Sequence, residues 1–226
     1  MADVIDAGPR PSLPVEGGGT FPVRRVFCVG RNYAEHQKEM GHSGREAPFF
    51  FAKGAEALTL EPTVPYPPQS KDLHHEVELV VAIGRGGSDI PADAARDHIW
   101  GYAVGVDLTR RDVQAEAKKL ARPWYLAKSW VGAAPIGPLV PASRAGHPRK
   151  GRIMLSVNGK IRQDGDLAEM IWSVDEIIAA LSSYDRLLAG DLIFTGTPAG
   201  VGAIVANDRV EATVEGVGRI DFSIRG

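Results

Sequence analysis

Apolar and polar positions alternate along the chain in a pattern that predicts mainly strands. Short apolar runs recur in VRRVFCVG, PFFFAK, LHHEVELVVAIG, IWGYAVGVDLT and DLIFTG, and such runs between turn residues are typical of strands. Asn158-Gly159 joins two further alternating segments, which predicts a hairpin because this dipeptide favours a tight turn. A last pair of strands is predicted in DRVEATVEGVGRIDFSI, and the proline-rich EPTVPYPPQSKD is predicted to be a loop.

Helical spacing of apolar residues is less common. It occurs in SVDEIIAALSSY, where Ser173 and Glu176 form a predicted capping box. A helix is also predicted through RRDVQAEAKKL, with Thr109 as its N-cap, and a short one in NYAEHQKEMG, ended by Gly41. Strands outnumber helices and do not alternate with them regularly. The pattern therefore predicts an α+β, β-rich fold instead of a doubly wound parallel sheet.

The length of 226 residues suits one large domain, or a domain plus an appendage. Residues 1–22 are rich in glycine and proline, and we expect them to form an extended N-terminal arm. Residues 23–226 are expected to form a single domain on the strength of their length and β-rich pattern. The sequence contains no internal repeat or low-complexity segment.

Charge and composition exclude several classes of partner. The formal net charge of −2, with no concentrated basic patch, argues against binding to nucleic acid or to an anionic membrane. No apolar run approaches the roughly 20 residues that span a bilayer, and the N-terminus lacks the pattern of a secretory signal. The single cysteine, Cys28, excludes an internal disulfide and is expected to be a buried small side chain. We therefore expect a cytoplasmic protein.

The run LHHEVELVVAIG carries two carboxylates on an otherwise apolar strand. Alternation places Glu76 and Glu78 on one strand face together with Val80 and Ala82, while the other face is apolar throughout. A solvated strand face would explain charged residues. A strand that is apolar on both faces is buried, however, and two like charges at the edge of an apolar interior repel each other and lose solvation. A divalent cation would offset both penalties.

A third acid, Asp107, ends the apolar run IWGYAVGVD just before a predicted helix. It is either a cap for that helix or a further ligand. Three carboxylates at the ends of buried strands are hard oxygen ligands that suit Mg²⁺ or Mn²⁺. His74 shares the face of the two glutamates if the strand starts early enough, so a zinc-like site with histidine is the lesser alternative.

Other candidate groups have equally ordinary explanations. Arg111 and Gln114 share a helical face that could point to the acids or to solvent. Lys128, among apolar residues in WYLAKSW, needs a partner or must extend to water. His36 and Glu39 have the spacing of a base and its orienting acid, but surface pairs of this kind are common. The glycine-rich TGTPAGVG could bind an anion through backbone N–H groups or be a plain turn; it does not match a nucleotide-binding loop.

Taken together, these motifs resemble the fumarylacetoacetate hydrolase family. The resemblance is carried by CVGRNYAEH, LHHEVELVVAIG, GYAVGVDLTRRDVQ, LAKSW, VNGKIRQDGD and GDLIFTGTPAGVG, in that order, and covers nearly the whole chain after about residue 23. The small size and the FPVRRVFCVGRNYAEH opening look most like the fumarylpyruvate and acylpyruvate hydrolase branch. The resemblance implies a catalytic domain folded as a mixed-sheet β-roll, and a homodimer.

The resemblance also implies roles for individual residues. It implies Mg²⁺ or Mn²⁺ held by Glu76, Glu78 and Asp107, the three-carboxylate site of the short enzymes. His36 would be the base that activates water, and Glu39 its acidic partner. The remaining positions implied to touch substrate are Arg111, Gln114, Lys128 and Thr197.

The implied reaction is hydrolysis of a carbon–carbon bond in an acylpyruvate, a small diketo acid. Fumarylpyruvate, cleaved to fumarate and pyruvate in aromatic degradation, is the expected substrate. The same metal site would equally serve an oxaloacetate decarboxylase or an isomerase of hydroxy-diene diacids. A non-catalytic protein that binds a keto acid is a further alternative, but such a protein needs no base.

Overall fold

The computed structural model describes residues 4–6, 8–35 and 45–226. Within them the strands are β1 (Ser12–Pro14), β2 (Thr20–Pro22), β3 (Val26–Gly30), β4 (Phe49–Lys53), β5 (Leu58–Thr59), β6 (Thr63–Pro65), β7 (Leu73–His75), β8 (Val77–Ile83), β9 (Ile99–Val106), β10 (Thr109–Arg110), β11 (Ala134–Pro135), β12 (Val140–Pro141), β13 (Arg152–Val157), β14 (Lys160–Asp166), β15 (Leu192–Phe194), β16 (Gly202–Ile204), β17 (Arg209–Val214) and β18 (Gly218–Arg225). The α-helices are α1 (Arg111–Lys119), α2 (Tyr125–Lys128), α3 (Ala142–Ala145) and α4 (Val174–Tyr184), and 3₁₀ turns occupy Ala55–Ala57, Ala92–His98 and Leu167–Glu169. The prediction of an α+β, β-rich fold is confirmed.

A six-stranded mixed sheet forms the centre of the fold, with strand order β12-β9-β8-β15-β3-β4. Strand β15 runs parallel to β3 and antiparallel to β8. All seven residues of β8 are buried, because Leu79 and Val81 join one apolar cluster while Val80 and Ala82 join another on the opposite face. Both faces of this strand are therefore covered, as its apolar pattern predicted.

The cluster that contains Leu79 is closed by a five-stranded sheet of order β14-β13-β17-β18-β6. The predicted hairpin is confirmed as β13 and β14, joined at Asn158 (φ 52°) and Gly159 (φ 74°). Positive φ at both central residues is the conformation of the tight hairpin turn that this dipeptide favours. The segment predicted to be a proline-rich loop differs, because Thr63–Pro65 pairs in parallel with β18. Its place at the sheet edge tolerates proline, since only one side of the strand needs backbone donors.

A small sheet of order β10-β7-β16 is joined to the central sheet, because β7 leads into β8 and β9 leads into β10 along the chain. The strand expected to run unbroken through LHHEVELVVAIG instead changes sheets at Glu76, which separates β7 from β8. The backbone N–H of Val77 donates to Gln163 Oε1 (3.1 Å), and the carbonyl of Glu76 accepts from the N–H of Asp107 (2.8 Å). These contacts provide hydrogen-bond partners for the backbone groups of Glu76 and Val77, where the strand pairing is interrupted.

Helix ends follow the sequence in one case and depart from it in another. The capping box of Ser173 and Glu176 is confirmed at the start of α4. The predicted N-cap Thr109 is wrong, because α1 is preceded by Arg110 and Thr109 pairs with His74 between β10 and β7. The longest described helix has 11 residues, and no helix in this part of the chain is long and apolar enough to cross a membrane.

The N-terminal residues contribute to the second apolar cluster. Strands β1 and β2 form an antiparallel pair, and their side chains Leu13 and Phe21 are buried in the cluster that also contains Val80 and Cys28. Cys28 is a free thiol with no solvent exposure, as expected of a small buried side chain. The division of the chain into an arm of residues 1–22 and a domain of residues 23–226 remains a prediction.

Candidate active site and metal centre

Three carboxylates meet where β7 and β9 end and β8 begins. Glu76 lies at the change of sheet, Glu78 lies on β8, and Asp107 directly follows β9, which is antiparallel to β8. One carboxylate oxygen from each lies within 4.8 Å of the others, and all three side chains are buried. The antiparallel pairing brings residues some 30 positions apart together because Val77 faces Val106 in the register.

Two lysines are buried against these acids. Lys128, the last residue of α2, places Nζ 2.7 Å from Glu76 Oε2, Asp107 Oδ2 and Thr109 Oγ1. Lys53, the last residue of β4, places Nζ 2.7 Å from Asp107 Oδ1. Lys128 therefore has the partners that its apolar surroundings require. Lys53 was not among the predicted site residues. Its sequence signal is that it follows the apolar residues of PFFFAK, as Lys128 follows the apolar residues of WYLAKSW.

The electrostatics of the triad favour a cation. Burial, together with the charges of Asp107 and Glu76, raises the pKa of Glu78 well above that of an exposed glutamate. Burial alone would lower the pKa of Lys128, but the charges of Asp107 and Glu76 outweigh it and raise this pKa. Among the described residues Asp107 Oδ1 accepts no hydrogen bond, since Lys53 is close but poorly aligned. The three carboxylates supply closely spaced hard oxygen ligands, and Asp107 Oδ1 has a lone pair that no hydrogen bond uses. Such a group of oxygens fits a divalent ion such as Mg²⁺ or Mn²⁺.

His74 faces other partners. Its Nδ1 accepts from Arg111 Nε (3.3 Å) and its Nε2 donates to Asp72 Oδ1 (2.9 Å). Burial, followed by the charge of Arg111, lowers the pKa of His74, which favours this neutral tautomer. The cluster of possible ligands in the described part of the chain contains the three acids without a histidine. The zinc-like alternative is therefore not supported.

The first turn of α1 does face the acids. Arg111 donates through Nη2 to Glu76 Oε1 and through Nη1 to Gln114 Oε1 (2.6 Å). Because guanidinium groups only donate, this contact fixes Oε1 of Gln114 as the acceptor and leaves the amide Nε2 group as a donor. Gln114 is buried, so the helical face of Arg111 and Gln114 belongs to the site instead of the solvent.

The loop TGTPAGVG binds a side-chain carboxylate of the protein, that of Glu78. The backbone N–H of Gly196 donates to Glu78 Oε2 (2.7 Å). Gly196 has φ 97°, and a Cβ at this position would lie 2.6 Å from the Cβ of Asn32. Only glycine avoids both the strain and the collision. The loop therefore orients Glu78 and brings the neighbouring Thr197, which is buried, to the cavity beside the triad.

Gln163, a residue of the RQDGD motif, connects this loop to the strand break. Its Oε1 accepts from the Val77 N–H (3.1 Å), and its Nε2 donates to Thr197 Oγ1 (2.7 Å) and to the Pro198 carbonyl (2.9 Å). A backbone N–H cannot accept and a carbonyl cannot donate, so the orientation of the amide is determined. His75 Nδ1 lies 2.9 Å from the same Oε1 and must therefore donate. Gln163 was not among the predicted site residues. The sequence indicated it only through its place in the motif VNGKIRQDGD, which carries part of the family resemblance.

His36 and Glu39, the predicted base and its partner, lie outside the described residues. Their roles stay predictions. Asn32, which precedes them, is fully buried. Its amide donates to the carbonyls of Trp172 (2.9 Å) and Thr195 (2.8 Å) and accepts from the N–H of Trp172 (2.8 Å). The chain that leads to His36 is thus attached beside the loop that carries Thr197.

A narrow cavity of 30 Å³ adjoins the acids. Its walls include Glu76 and Glu78 together with cationic, polar and aromatic side chains: Arg31, Phe49, Phe51, Arg111, Gln114, Lys118, Trp124, Lys128 and Thr197. A larger cleft of 570 Å³ lies elsewhere, along Met154 and Phe222. We place the candidate active site at the smaller cavity because the buried acids and lysines converge there.

Comparison with known proteins identifies the family. Residues 25–225 match the family model for the fumarylacetoacetate (FAA) hydrolase C-terminal domain. The rat (Rattus norvegicus) protein named mitochondrial oxaloacetate tautomerase FAHD1 is 44% identical over 202 residues, which cover 89% of this chain and 91% of that protein.

Two crystal structures are similar over nearly the whole chain. A candidate fumarylpyruvate hydrolase from Burkholderia cenocepacia is 55% identical, with a TM-score of 0.94 and coverage of 100% of this chain and 96% of the other. The fumarylpyruvate hydrolase of Pseudomonas aeruginosa, crystallised with Mn²⁺ and pyruvate, is 47% identical, with a TM-score of 0.95 and coverage of 99% of both chains. The family match, these similarities and the buried triad together lead to one conclusion: the chain belongs to the fumarylacetoacetate hydrolase family.

Proposed function

We propose that this protein is a divalent-metal-dependent hydrolase that cleaves acylpyruvates, with fumarylpyruvate as substrate and fumarate and pyruvate as products. One observation carries the proposal. A buried triad of Glu76, Glu78 and Asp107, with the ammonium of Lys128 against it, lies in a chain that is 47% identical to a fumarylpyruvate hydrolase crystallised with Mn²⁺ and pyruvate.

In this proposal the three acids hold the ion. The ion would supply Lewis acidity, polarising the substrate oxygens and offsetting the charge that develops on the pyruvate part. Arg111, Gln114 and Thr197 surround the same cavity. Their donor groups are proposed to bind the carboxylate and keto oxygens of the pyruvate part and so to orient the substrate.

The chemical step needs a base and a stabilised oxyanion. His36, oriented by Glu39, is proposed to take a proton from water, whose oxygen then adds to the carbonyl of the acyl group. The amide donor of Gln114 and the nearby ammonium charge of Lys128 stabilise the negative charge on that carbonyl oxygen, a contribution of a few kcal/mol for a directed donor. The bond to the methylene carbon then breaks, and its electron pair passes to pyruvate as the enolate. The proton held by His36 returns to that carbon, which releases pyruvate and the acid.

The direct test is an assay of the metal-loaded protein with fumarylpyruvate, acetylpyruvate and oxaloacetate. Loss of the enol absorbance is followed, and the products are identified. We expect equimolar fumarate and pyruvate from fumarylpyruvate, and loss of this activity in Glu76→Ala and in His36→Ala. Unchanged turnover in Glu76→Ala would contradict the metal site, and absence of pyruvate as a product would contradict hydrolysis.

A second candidate is oxaloacetate tautomerase activity, which is favoured by the 44% identity to the rat protein of that name. Tautomerisation moves a proton between carbon and oxygen and cleaves no carbon–carbon bond. An enzyme of this kind would interconvert enol and keto oxaloacetate without forming pyruvate and would leave fumarylpyruvate intact. Product analysis in the same assay therefore separates the two candidates. The homodimer implied by the family resemblance remains a prediction.

A further inference from the structure

Lys53 is a buried cation that the proposed reaction does not use. Its side chain has no solvent exposure, and its Nζ lies 2.7 Å from Asp107 Oδ1 and 5.6 Å from the ring centroid of Trp130. Burial of an ammonium group costs free energy unless acceptors surround it. The groups that surround Lys53 therefore indicate what it does.

The acceptors around Lys53 outnumber its protons. Its Nζ donates to the backbone carbonyls of Lys128, Leu108 (3.3 Å) and Ala133 (3.2 Å). An ammonium group has three N–H donors, and the three carbonyls receive them, because Asp107 Oδ1 accepts no hydrogen bond within the part of the chain that the structure describes. Lys53 therefore attracts Asp107 Oδ1 through its charge and leaves the lone pairs of that oxygen to an ion.

The three carbonyls belong to segments that carry the site. Leu108 directly follows Asp107, and its N–H donates to the Ala133 carbonyl (3.0 Å). The Lys128 carbonyl belongs to the residue whose own ammonium lies 2.7 Å from Asp107 Oδ2. The single ammonium of Lys53 thus joins the chain beside Asp107 to the end of α2, and each oxygen of the Asp107 carboxylate faces one lysine. These contacts hold the carboxylate in one orientation.

The rigidity of a ligand affects which ion a site prefers. Mg²⁺ requires near-ideal octahedral geometry with oxygens at about 2.0–2.1 Å, whereas Ca²⁺ accepts flexible arrangements at about 2.3–2.6 Å. A carboxylate that is held in one orientation can therefore favour the smaller ion, while a carboxylate that is free to move adapts to the larger one.

We propose that Lys53 is a positioning residue that makes the triad discriminate between divalent ions, favouring Mg²⁺ over Ca²⁺. It acts through Asp107, since its own protons are used by backbone carbonyls. The proposal rests on the metal site of the proposed function and does not depend on which carbon–carbon bond is cleaved.

The test compares the dissociation constants of Mg²⁺ and Ca²⁺ for the full chain. Each ion is titrated against bound Mn²⁺, whose free fraction is measured by electron paramagnetic resonance, so no turnover is needed. Lys53→Met removes the charge and the donors, whereas Lys53→Gln removes the charge and keeps amide donors for the carbonyls. Ser129→Ala is the matched control: Ser129 Oγ accepts from the Gly54 N–H (2.9 Å), so its loss removes a neighbouring contact between the end of β4 and the end of α2. Circular dichroism shows whether each variant is folded.

We expect both Lys53 variants to weaken Mg²⁺ binding relative to Ca²⁺ binding by at least about tenfold, since groups that hold a metal ligand in place contribute roughly 10–100-fold to affinity. Ser129→Ala should leave the ratio of the two dissociation constants unchanged, and Lys53→Gln decides the outcome if Lys53→Met does not fold. An unchanged ratio in the Lys53 variants would overturn the proposal. Tighter binding of both ions would overturn it as well, because Lys53 would then act only as a repelling charge. Equal weakening of both ions would indicate a general loosening of the fold and would likewise contradict it.

Failure of this proposal is distinguishable from failure of the proposed function. A protein that cleaves fumarylpyruvate but has the same ion ratio in the wild type and in the Lys53 variants retains the hydrolase assignment and loses the role of Lys53. A protein whose ion ratio depends on Lys53 but which leaves fumarylpyruvate intact shows the reverse. A wild type that binds no Mn²⁺ would contradict the metal site on which both depend.

Discussion

The hydrogen bond from Gln163 determines in which direction the Thr197 hydroxyl can donate its proton. Because Gln163 Nε2 donates to Thr197 Oγ1, the hydroxyl proton is left to donate elsewhere, and the cavity beside the triad is the space it borders. The orientation of Gln163 follows from the Val77 N–H and the Pro198 carbonyl, which can act only as donor and acceptor. A side chain that touches no substrate can thus determine whether Thr197 donates or accepts.

Gln163→Glu tests this direction. The substituted carboxylate can still accept from Val77, but it cannot donate to Thr197, whose hydroxyl would turn to it instead. We expect KM for the substrate to rise about tenfold, the equivalent of one lost hydrogen bond of about 1.4 kcal/mol, with a smaller change in kcat. The measurement is a double-mutant cycle with Thr197→Val, in which the two changes should be strongly non-additive. Additive effects on KM would mean that Gln163 does not act through Thr197.

At the scale of single elements, the helix ends show what local pattern can and cannot predict. The capping box of Ser173 and Glu176 formed as predicted because its donors and acceptors lie within one turn of chain. Thr109 had the residue type of an N-cap but pairs with a distant strand, and its hydroxyl accepts from Lys128. A long-range partner displaced the local preference.

The cap of α4 can be tested directly. Ser173 Oγ accepts from the Glu176 N–H (3.4 Å) and donates to Glu176 Oε2 (2.9 Å). Ser173→Ala should lower the free energy of unfolding by about 1 kcal/mol, measured by urea denaturation. Ser183→Ala, on the exposed face of the same helix, is the control and should change it by less than about 0.5 kcal/mol. Equal effects of the two substitutions would show that the cap contributes nothing specific.

The start of α1 makes the stability dependent on pH. Burial alone would raise the pKa of Asp112, but hydrogen bonds from the Lys71 N–H, the Ser70 hydroxyl and the Val113 N–H lower it below its ordinary value. A depressed pKa stabilises the fold above the ordinary carboxyl pKa of about 3.9, and this stabilisation is lost as the pH falls through the lower folded value.

Asp112→Asn should therefore cost about 1 kcal/mol or less at pH 7, because the group is partly exposed. The difference from the wild type should shrink as the pH falls below about 4. Urea denaturation at pH 7 and pH 3 measures it, with the exposed Asp93→Asn as control. A difference that is constant with pH would contradict a role for the ionised carboxylate.

At the scale of the whole molecule, the triad joins the elements of the core. Glu76 lies between β7 and β8, Glu78 belongs to the central sheet, and the two lysines extend to the acids from β4 and α2. An ion bound by these acids is absent from the unfolded chain, so binding stabilises the fold by RT ln(1 + [L]/Kd).

Mn²⁺ or Mg²⁺ at about 100 times Kd should add about 2.7 kcal/mol, which raises Tm by roughly 5–10 °C for a chain of this size. Thermal unfolding followed by circular dichroism measures the shift in Tm, and addition of a chelator to the metal-loaded protein should reverse it. Asp107→Asn should lose it, while Glu61→Gln, an exposed acid remote from the triad, should retain it. A full shift in Asp107→Asn would exclude the triad as the binding site.

The sequence by itself determined the β-rich fold class, the hairpin at Asn158-Gly159 and the capping box of α4, and it marked Glu76 and Glu78 as two carboxylates on one buried strand. Each is encoded in residues close together in the chain or in apolar runs that must be buried on both faces. The residue types of the acids also limited the ligand to a hard cation.

Tertiary structure alone decided the rest. It broke the predicted strand at Glu76, placed Thr109 in a sheet, and brought Lys53 and Gln163 to the site from 54 and 56 positions away from Asp107 along the chain. Lys118, which in the sequence is one of several charged residues of a polar helix, lines the cavity in the structure. These outcomes depend on which distant backbone and side-chain groups satisfy one another, and that is a property of the packed chain which no local pattern contains.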